Sequence, residues 1–186
     1  LTIAGAFSSY GTPEEPVVFT SFYDDEFGGD TSNDATTSQP ILGHWRGIDF
    51  WGQKEAVFDG AVIRYAGGQS WWYNLAGIKA GGLEPLTIKN SVIEKNKFRG
   101  VWVSGNASTT ITDTIFRDNH HPEEGGVYPY ALLVTDNATT TISNLIFRNN
   151  DIGIGTGSEY HIINNGGIDI DDSNTTKTIP PDLFPS

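Results

Sequence analysis

Cysteine and methionine are absent from the 186 residues, and cations are scarce, with 11 Lys and Arg against 23 Asp and Glu and a formal charge of −12. Without cysteine there are no disulfide staples and no thiol chemistry. With so few cations, nucleic acid and anionic membranes are not expected as partners, because both reward Lys/Arg patches. No apolar run approaches the roughly 18 residues of a bilayer span, so no membrane insertion is expected either. Leu1 stands where an initiator Met would, and Leu1-Thr2-Ile3 already reads as strand, so the expectation is a piece of a longer multidomain chain. Helical periodicity of useful length is missing too. What remains is ample for a core, with 37% apolar and 12% aromatic residues in a length that suits one domain.

A repeat supplies the architecture. Thr87-Ile88-Lys89-Asn90-Ser91-Val92-Ile93, Thr110-Ile111-Thr112-Asp113-Thr114-Ile115-Phe116 and Thr141-Ile142-Ser143-Asn144-Leu145-Ile146-Phe147 align without gaps, and each leading Ile is followed eight residues later by Asn96, Asn119 or Asn150. Eleven residues before each leading Ile, Gly77-Ile78, Gly100-Val101 and Ala131-Leu132 open a second apolar stretch; Phe58 with Gly47-Ile48 adds a fourth unit. The runs are short, rich in Ile, Val, Phe and Thr, and bounded by Gly, Asn, Asp or Ser, which reads as strand and turn. A unit of about 23 residues cannot bury its own apolar face, whereas stacked parallel coils ~4.8 Å apart pair every backbone around a continuous core. The fold expected is an all-β, single-stranded right-handed parallel β-helix of about six to seven coils over residues 1–168. Insertions are expected near residues 67–76 and 120–129, and residues 169–186, rich in Pro near the end, read as a cap or linker. Phe58, Ile88, Ile111 and Ile142, with Ile48, Ile78, Val101 and Leu132, are the expected core. The asparagines read as corner residues that tolerate a left-handed backbone and hydrogen-bond from coil to coil.

The N-terminal third resembles a known family. Pro16-Val17-Val18-Phe19-Thr20-Ser21, Asp24-Asp25-Glu26-Phe27-Gly28-Gly29-Asp30-Thr31-Ser32-Asn33-Asp34, Gly43-His44-Trp45-Arg46-Gly47-Ile48 and Ile63-Arg64-Tyr65-Ala66-Gly67-Gly68 are similar to the right-handed parallel β-helix segments of large secreted and surface-attached microbial proteins. Ser32, Ala35 and His44 stand where that pattern usually shows Asn, Gly and Asp. The resemblance implies an extracellular or cell-surface setting, with surface glycans or proteins as partners.

Three groups of residues could carry chemistry. The first 45 residues hold seven acids and no Lys or Arg, and five of those acids fall between positions 24 and 34. Clustered carboxylates repel unless a cation sits among them, and an Asp/Asn/Ser/Gly-rich loop offers the hard oxygens that Ca²⁺ prefers. The loop Asp24–Asp34 therefore reads as a Ca²⁺ site with Asp24, Asp25, Asp30, Asn33 and Asp34 as ligands, outside the EF-hand pattern; the alternative is a solvated acidic loop. Trp71, Trp72 and Tyr73, in the first insertion, could stack on a glycan or anchor a protein, or fold back to cover the coils. His120-His121 could supply a base or metal ligands, but adjacent residues of a strand point to opposite sides. Arg64, Glu94, Arg117 and Arg148 share one column of the repeat and read as a surface ion-pair ladder. The Asn-Thr-Asp, Gly-His-Gly and Arg-Ile-Lys sets of polygalacturonases and the Asp-Pro-His motif of epimerases do not occur. Three sequons, at Asn106, Asn137 and Asn174, would suit an exported glycoprotein, but the first two share a repeat position that a β-helix corner also explains, and the Thr columns are too irregular for an ice-binding face. The expected role is a non-enzymatic, Ca²⁺-stabilised stalk or adhesion module, the alternative being a carbohydrate-active β-helix of the lyase or hydrolase kind, or a glycan-binding domain.

Overall fold

A computed structural model describes residues 1–35, 37–50, 54–68, 76–82, 85–121, 129–156, 161–164 and 166–171. The strands come in the same order on each turn of the chain. The first coil contributes β1 (Thr2–Ile3), β2 (Phe7–Tyr10) and β3 (Val17–Phe19), the second β4 (Ile48–Phe50), β5 (Ala56–Asp59) and β6 (Ala61–Arg64), and the third β7 (Ile78–Ala80), β8 (Pro85–Lys89) and β9 (Val92–Glu94). In the fourth and fifth coils the second and third strands fuse, giving β10 (Val101–Val103) with β11 (Ser108–Arg117) and β12 (Tyr130–Val134) with β13 (Thr139–Arg148). The sixth holds β14 (Ile152–Thr156), β15 (His161–Asn164) and β16 (Asp169–Asp171).

Among the described residues every strand pairing is parallel, and one face is a six-stranded sheet in the order β1-β4-β7-β10-β12-β14. This is the stacked-coil solenoid that the repeat predicts, with six coils among the described residues. The repeat register is also the structural register: Phe58 faces Ile88, Ile88 faces Ile111, and Ile111 faces Ile142. A strand sends alternate side chains to opposite faces, so fixing one column fixes the rest. The eight expected core residues are all buried, each exposing 1% or less. At the N-terminal end the core is aromatic, with Phe7 4.9 Å from Phe58 and Phe50 edge-on to Phe58 at 5.9 Å. Further along, Phe116 stacks on Phe147 at 5.1 Å. Pairing continues through β16 to Asp171, past the 168 boundary expected for the coils.

The asparagine column is a buried amide ladder. Asn96 Nδ2 donates to Asn119 Oδ1 at 3.0 Å and Asn119 Nδ2 to Asn150 Oδ1 at 2.8 Å, while the same amides donate to the carbonyls of Ile63 and Ile93. The left-handed backbone sits one residue earlier than expected, at Lys95, Asp118 and Asn149, with φ of 50°, 54° and 49°. The side chain after each bend thus turns inward, where its four hydrogen-bonding valences can be met only by neighbouring coils. A second corner places Gly60, Asn90, Asp113 and Asn144 in the left-handed region, and there the side chains face solvent or the rim.

Candidate metal site and its buried ion cluster

Between β3 and β4 the chain leaves the coils and lies back over the column that begins at Arg64. Its attachment explains the N-terminal motifs. Ser21 Oγ and His44 Nδ1 are 2.9 Å apart, and the His44 ring stacks on Tyr23 at 4.8 Å. Trp45 Nε1 donates to the Arg64 carbonyl at 2.7 Å, and Gly68 N donates to the Trp45 carbonyl at 2.9 Å. Backbones approach so closely here that a Cβ on Gly67, at φ 90°, would lie 2.1 Å from the Lys97 carbonyl oxygen. Only glycine fits that position.

Arg64 is the hub beneath the loop. It exposes 1% and lies 3.4 Å from Asp24, 3.2 Å from Glu94 and 2.7 Å from Glu26. The Phe27 and Tyr65 rings lie within 5.2 and 4.7 Å of its guanidinium. Burial pulls the guanidinium down, but its hydrogen bonds to Glu26 and Tyr65 and the charge of Glu94 outweigh that and hold it above the ordinary arginine value. The expected surface ladder is thus a ladder, with Glu94 also 2.5 Å from Arg117, but its first two rungs are buried because the acidic loop covers them. Arg148, at the other end, reaches Asp169 at 2.6 Å in the open.

The loop separates the expected metal ligands into two groups. Asp24 is buried, accepts a short hydrogen bond from Thr20 Oγ1 and faces Arg64. Asp25, Asp30 and Asp34 come together, one carboxylate oxygen of each lying within 4.8 Å of the others. Asp30 organises the turn: its Oδ1 accepts from the Asp34 amide at 3.0 Å and its Oδ2 from the Ala35 amide at 2.9 Å. Asp34 does the same one turn on, accepting from the amides of Thr37 and Ser38 at 3.1 Å each. Asn33 is exposed and supplies a left-handed bend at φ 55° between them.

These roles polarise the three acids electrostatically. The Ala35 and Asp34 amides hold Asp30 below the usual carboxylate range, and the Ser38 hydroxyl does the same for Asp34. Asp25 moves the other way, raised by desolvation and then by the charges of Asp30, Asp34 and Asp24. Both its carboxylate oxygens are shielded from solvent and make no hydrogen bond. A shielded carboxylate without a donor beside two ionised neighbours is the arrangement that a hard divalent cation would relieve, and Asp25, Asp30 and Asp34 are the residues able to hold one.

Other candidates fare differently. Trp71, Trp72 and Tyr73 lie outside the described residues, as does most of both insertions. His120 turns to Asp151, Nδ1 to Oδ1 at 2.8 Å, while the His121 ring packs on Phe98 at 4.2 Å, so the two histidines share no site. The sequence reading missed the burial of Arg64 and Glu94. A signal was present: Asp24-Asp25-Glu26 in a stretch with no cation of its own needs a partner from elsewhere, and Arg64 is the nearest cation column in the repeat.

A parallel solenoid carrying an acidic loop over a buried ion cluster defines the class, a β-helical repeat protein. The family described as "Right handed beta helix region" matches residues 46–179, well over half of the chain, and the chain belongs to that family. No curated protein and no solved structure gives a significant match.

Proposed function

We propose that this chain is a non-enzymatic, Ca²⁺-stabilised β-helix segment of a secreted or cell-surface protein, serving as a stalk or adhesion module toward surface glycans or proteins. The observation that carries the reading is Asp25, whose shielded oxygens have no donor while Asp30 and Asp34 stand beside it. Bound Ca²⁺ would complete that carboxylate and clamp the loop onto the Arg64 column. Asp24 then acts through Arg64 as the loop's anchor rather than in contact with the ion. A rigid solenoid with a cation-locked flap suits an environment where millimolar Ca²⁺ is constant, as outside cells.

Calorimetric titration with Ca²⁺ and thermal melts with and without chelator test this. Saturation at a hundred times Kd adds about 2.7 kcal/mol, so the melting temperature should rise on the order of 5–10 °C. Asp25→Asn should abolish the response. Because ionised Asp25 is disfavoured in the folded loop, the same change should leave the metal-free protein as stable or slightly more so. An unchanged melting temperature with chelator and no stoichiometric metal would mean a solvated loop. New reducing ends or unsaturated products from a panel of polyuronates and neutral glycans would instead establish the carbohydrate-active alternative.

A further inference from the structure

On the face formed by β4, β7, β10 and β12, the outward column runs Asp49, Lys79, Trp102 and Leu133. Here a protein of net charge −12 concentrates cations. Lys79 Nζ lies 4.6 Å from the centroid of the Trp102 ring, and the Arg99 guanidinium lies 4.7 Å from the same ring. Arg46, exposed at the rim, and Arg99 both act on Lys79 as like charges, with Asp49 the opposing carboxylate. The Arg99 side chain has no ion pair or hydrogen bond among the described residues, and its Nε is shielded from solvent without a partner.

That state is energetically unfavourable. Arg99 is half-buried, and a guanidinium partly withdrawn from water normally meets a carboxylate, since a desolvated charge without a counter-ion is costly. Trp102 compensates part of this through its ring quadrupole, and its own Nε1 is engaged by Thr135 Oγ1 at 3.0 Å, which fixes the indole plane. The aromatic surface orients Arg99 but cannot satisfy its donors. Desolvation draws both Arg99 and Lys79 below their ordinary values. An oxyanion would reverse that penalty, and the flat arginine fork matches carboxylate, sulfate and phosphate alike.

We propose that Lys79 and Arg99, set against Trp102, form with Arg46 near Lys79 a binding site for an oxyanion carried by a small ligand, either the carboxylate of a sugar acid or a sulfate or phosphate monoester. The site is independent of the acidic loop, and its test needs no Ca²⁺. The full chain is titrated calorimetrically, at constant ionic strength held with NaCl and with chelator present, using glucuronate, inorganic sulfate, inorganic phosphate and, as neutral control, glucose. The expected result is saturable 1:1 binding of at least one oxyanion and none of glucose. Selectivity for glucuronate identifies a sugar acid, and selectivity for sulfate or phosphate an ester. Arg99→Gln should weaken binding at least tenfold, and Arg46→Gln, a rim change that leaves folding undisturbed, should weaken it severalfold. The absence of saturable binding by the unmodified chain overturns the proposal, as does binding that neither substitution changes. A higher melting temperature for Arg99→Met, in a chain that binds no oxyanion, would make Arg99 a packing residue.

Discussion

Between Ile48 and Val134 each strand hydrogen-bonds to the same position one coil away, whereas between Ser21 and Ser38 the backbone is held largely by its own side chains. The coils are redundant: any residue has an equivalent above and below, and the apolar column continues past it. The loop has no such backing. It rests on a few contacts, chiefly Asp24 and Glu26 on Arg64 and Ser21 on His44. Burial therefore stabilises the coils, while local hydrogen bonds and charge stabilise the loop. The two regions should respond to different insults.

The largest effect should come from breaking the coils themselves. Phe116 is fully buried against Phe147, so Phe116→Ala should cost about 4 kcal/mol through lost burial and a cavity that a stacked solenoid cannot collapse. Denaturant titration should show a lower midpoint at an unchanged slope, because both regions unfold with the coils. Transitions that separate for coil and loop would show that the loop does not depend on them.

Next is the joint between the regions. Arg64→Met keeps the volume of the hub but leaves Asp24 without its counter-ion, and Glu94 with Arg117 alone. The expected cost is about 3 kcal/mol, within the range for breaking a buried ion pair. Limited proteolysis should then cut between residues 20 and 38 while the β-sheet circular dichroism persists. Cutting first within the coils would mean that the loop is not the weaker region.

Acid should open the loop by a smaller step. Asp30 and Asp34 have folded values below their unfolded ones, so they stabilise the fold above the ordinary Asp value near 3.9 and lose that contribution as pH falls through the lower folded values. Asp25 has the opposite sign, since its raised value makes its ionised form a liability that protonation removes. Glu26, held down by its hydrogen bond from Arg64, has the same sign as Asp30 and Asp34, so three groups oppose one. In metal-free protein, pepsin cleavage between residues 20 and 38 should rise as pH drops from about 4 toward 3, with the coils intact. Uniform loss of coil and loop across that window would refute the difference drawn between them.

The smallest effect is expected at the outer corner. Asn144→Gly keeps the left-handed bend at φ 51° and loses one exposed hydrogen bond to Asp113, so the melting midpoint should move by less than about 0.5 kcal/mol. Asn119→Ala, by contrast, strands amide partners on two coils, and a comparison of the two separates ornament from ladder.

Much of this was legible before any coordinate. Gap-free repetition fixed which residues face inward, because period-two alternation leaves no freedom once Ile88, Ile111 and Ile142 are in register. The Asp24–Asp34 cluster was visible as charge without counter-charge. Which acid does what was not. Asp24 and Asp25 are neighbours in the chain, yet one meets a guanidinium and the other meets two carboxylates, because a turn at Ser21–Asp24 sends consecutive side chains to different surfaces.

The sequence by itself determined the coil, its register and its apolar column, since those depend on spacing along the chain and on nothing distant. Only the tertiary structure decided the burial of Arg64 and Glu94, the inward turn of Asn96, Asn119 and Asn150, and the company kept by Arg99 and Trp102. Desolvation and charge pairing depend on what lies across space within a few ångströms, and residues such as Asp24 and Arg64 are brought together by a fold-back whose path no local pattern encodes.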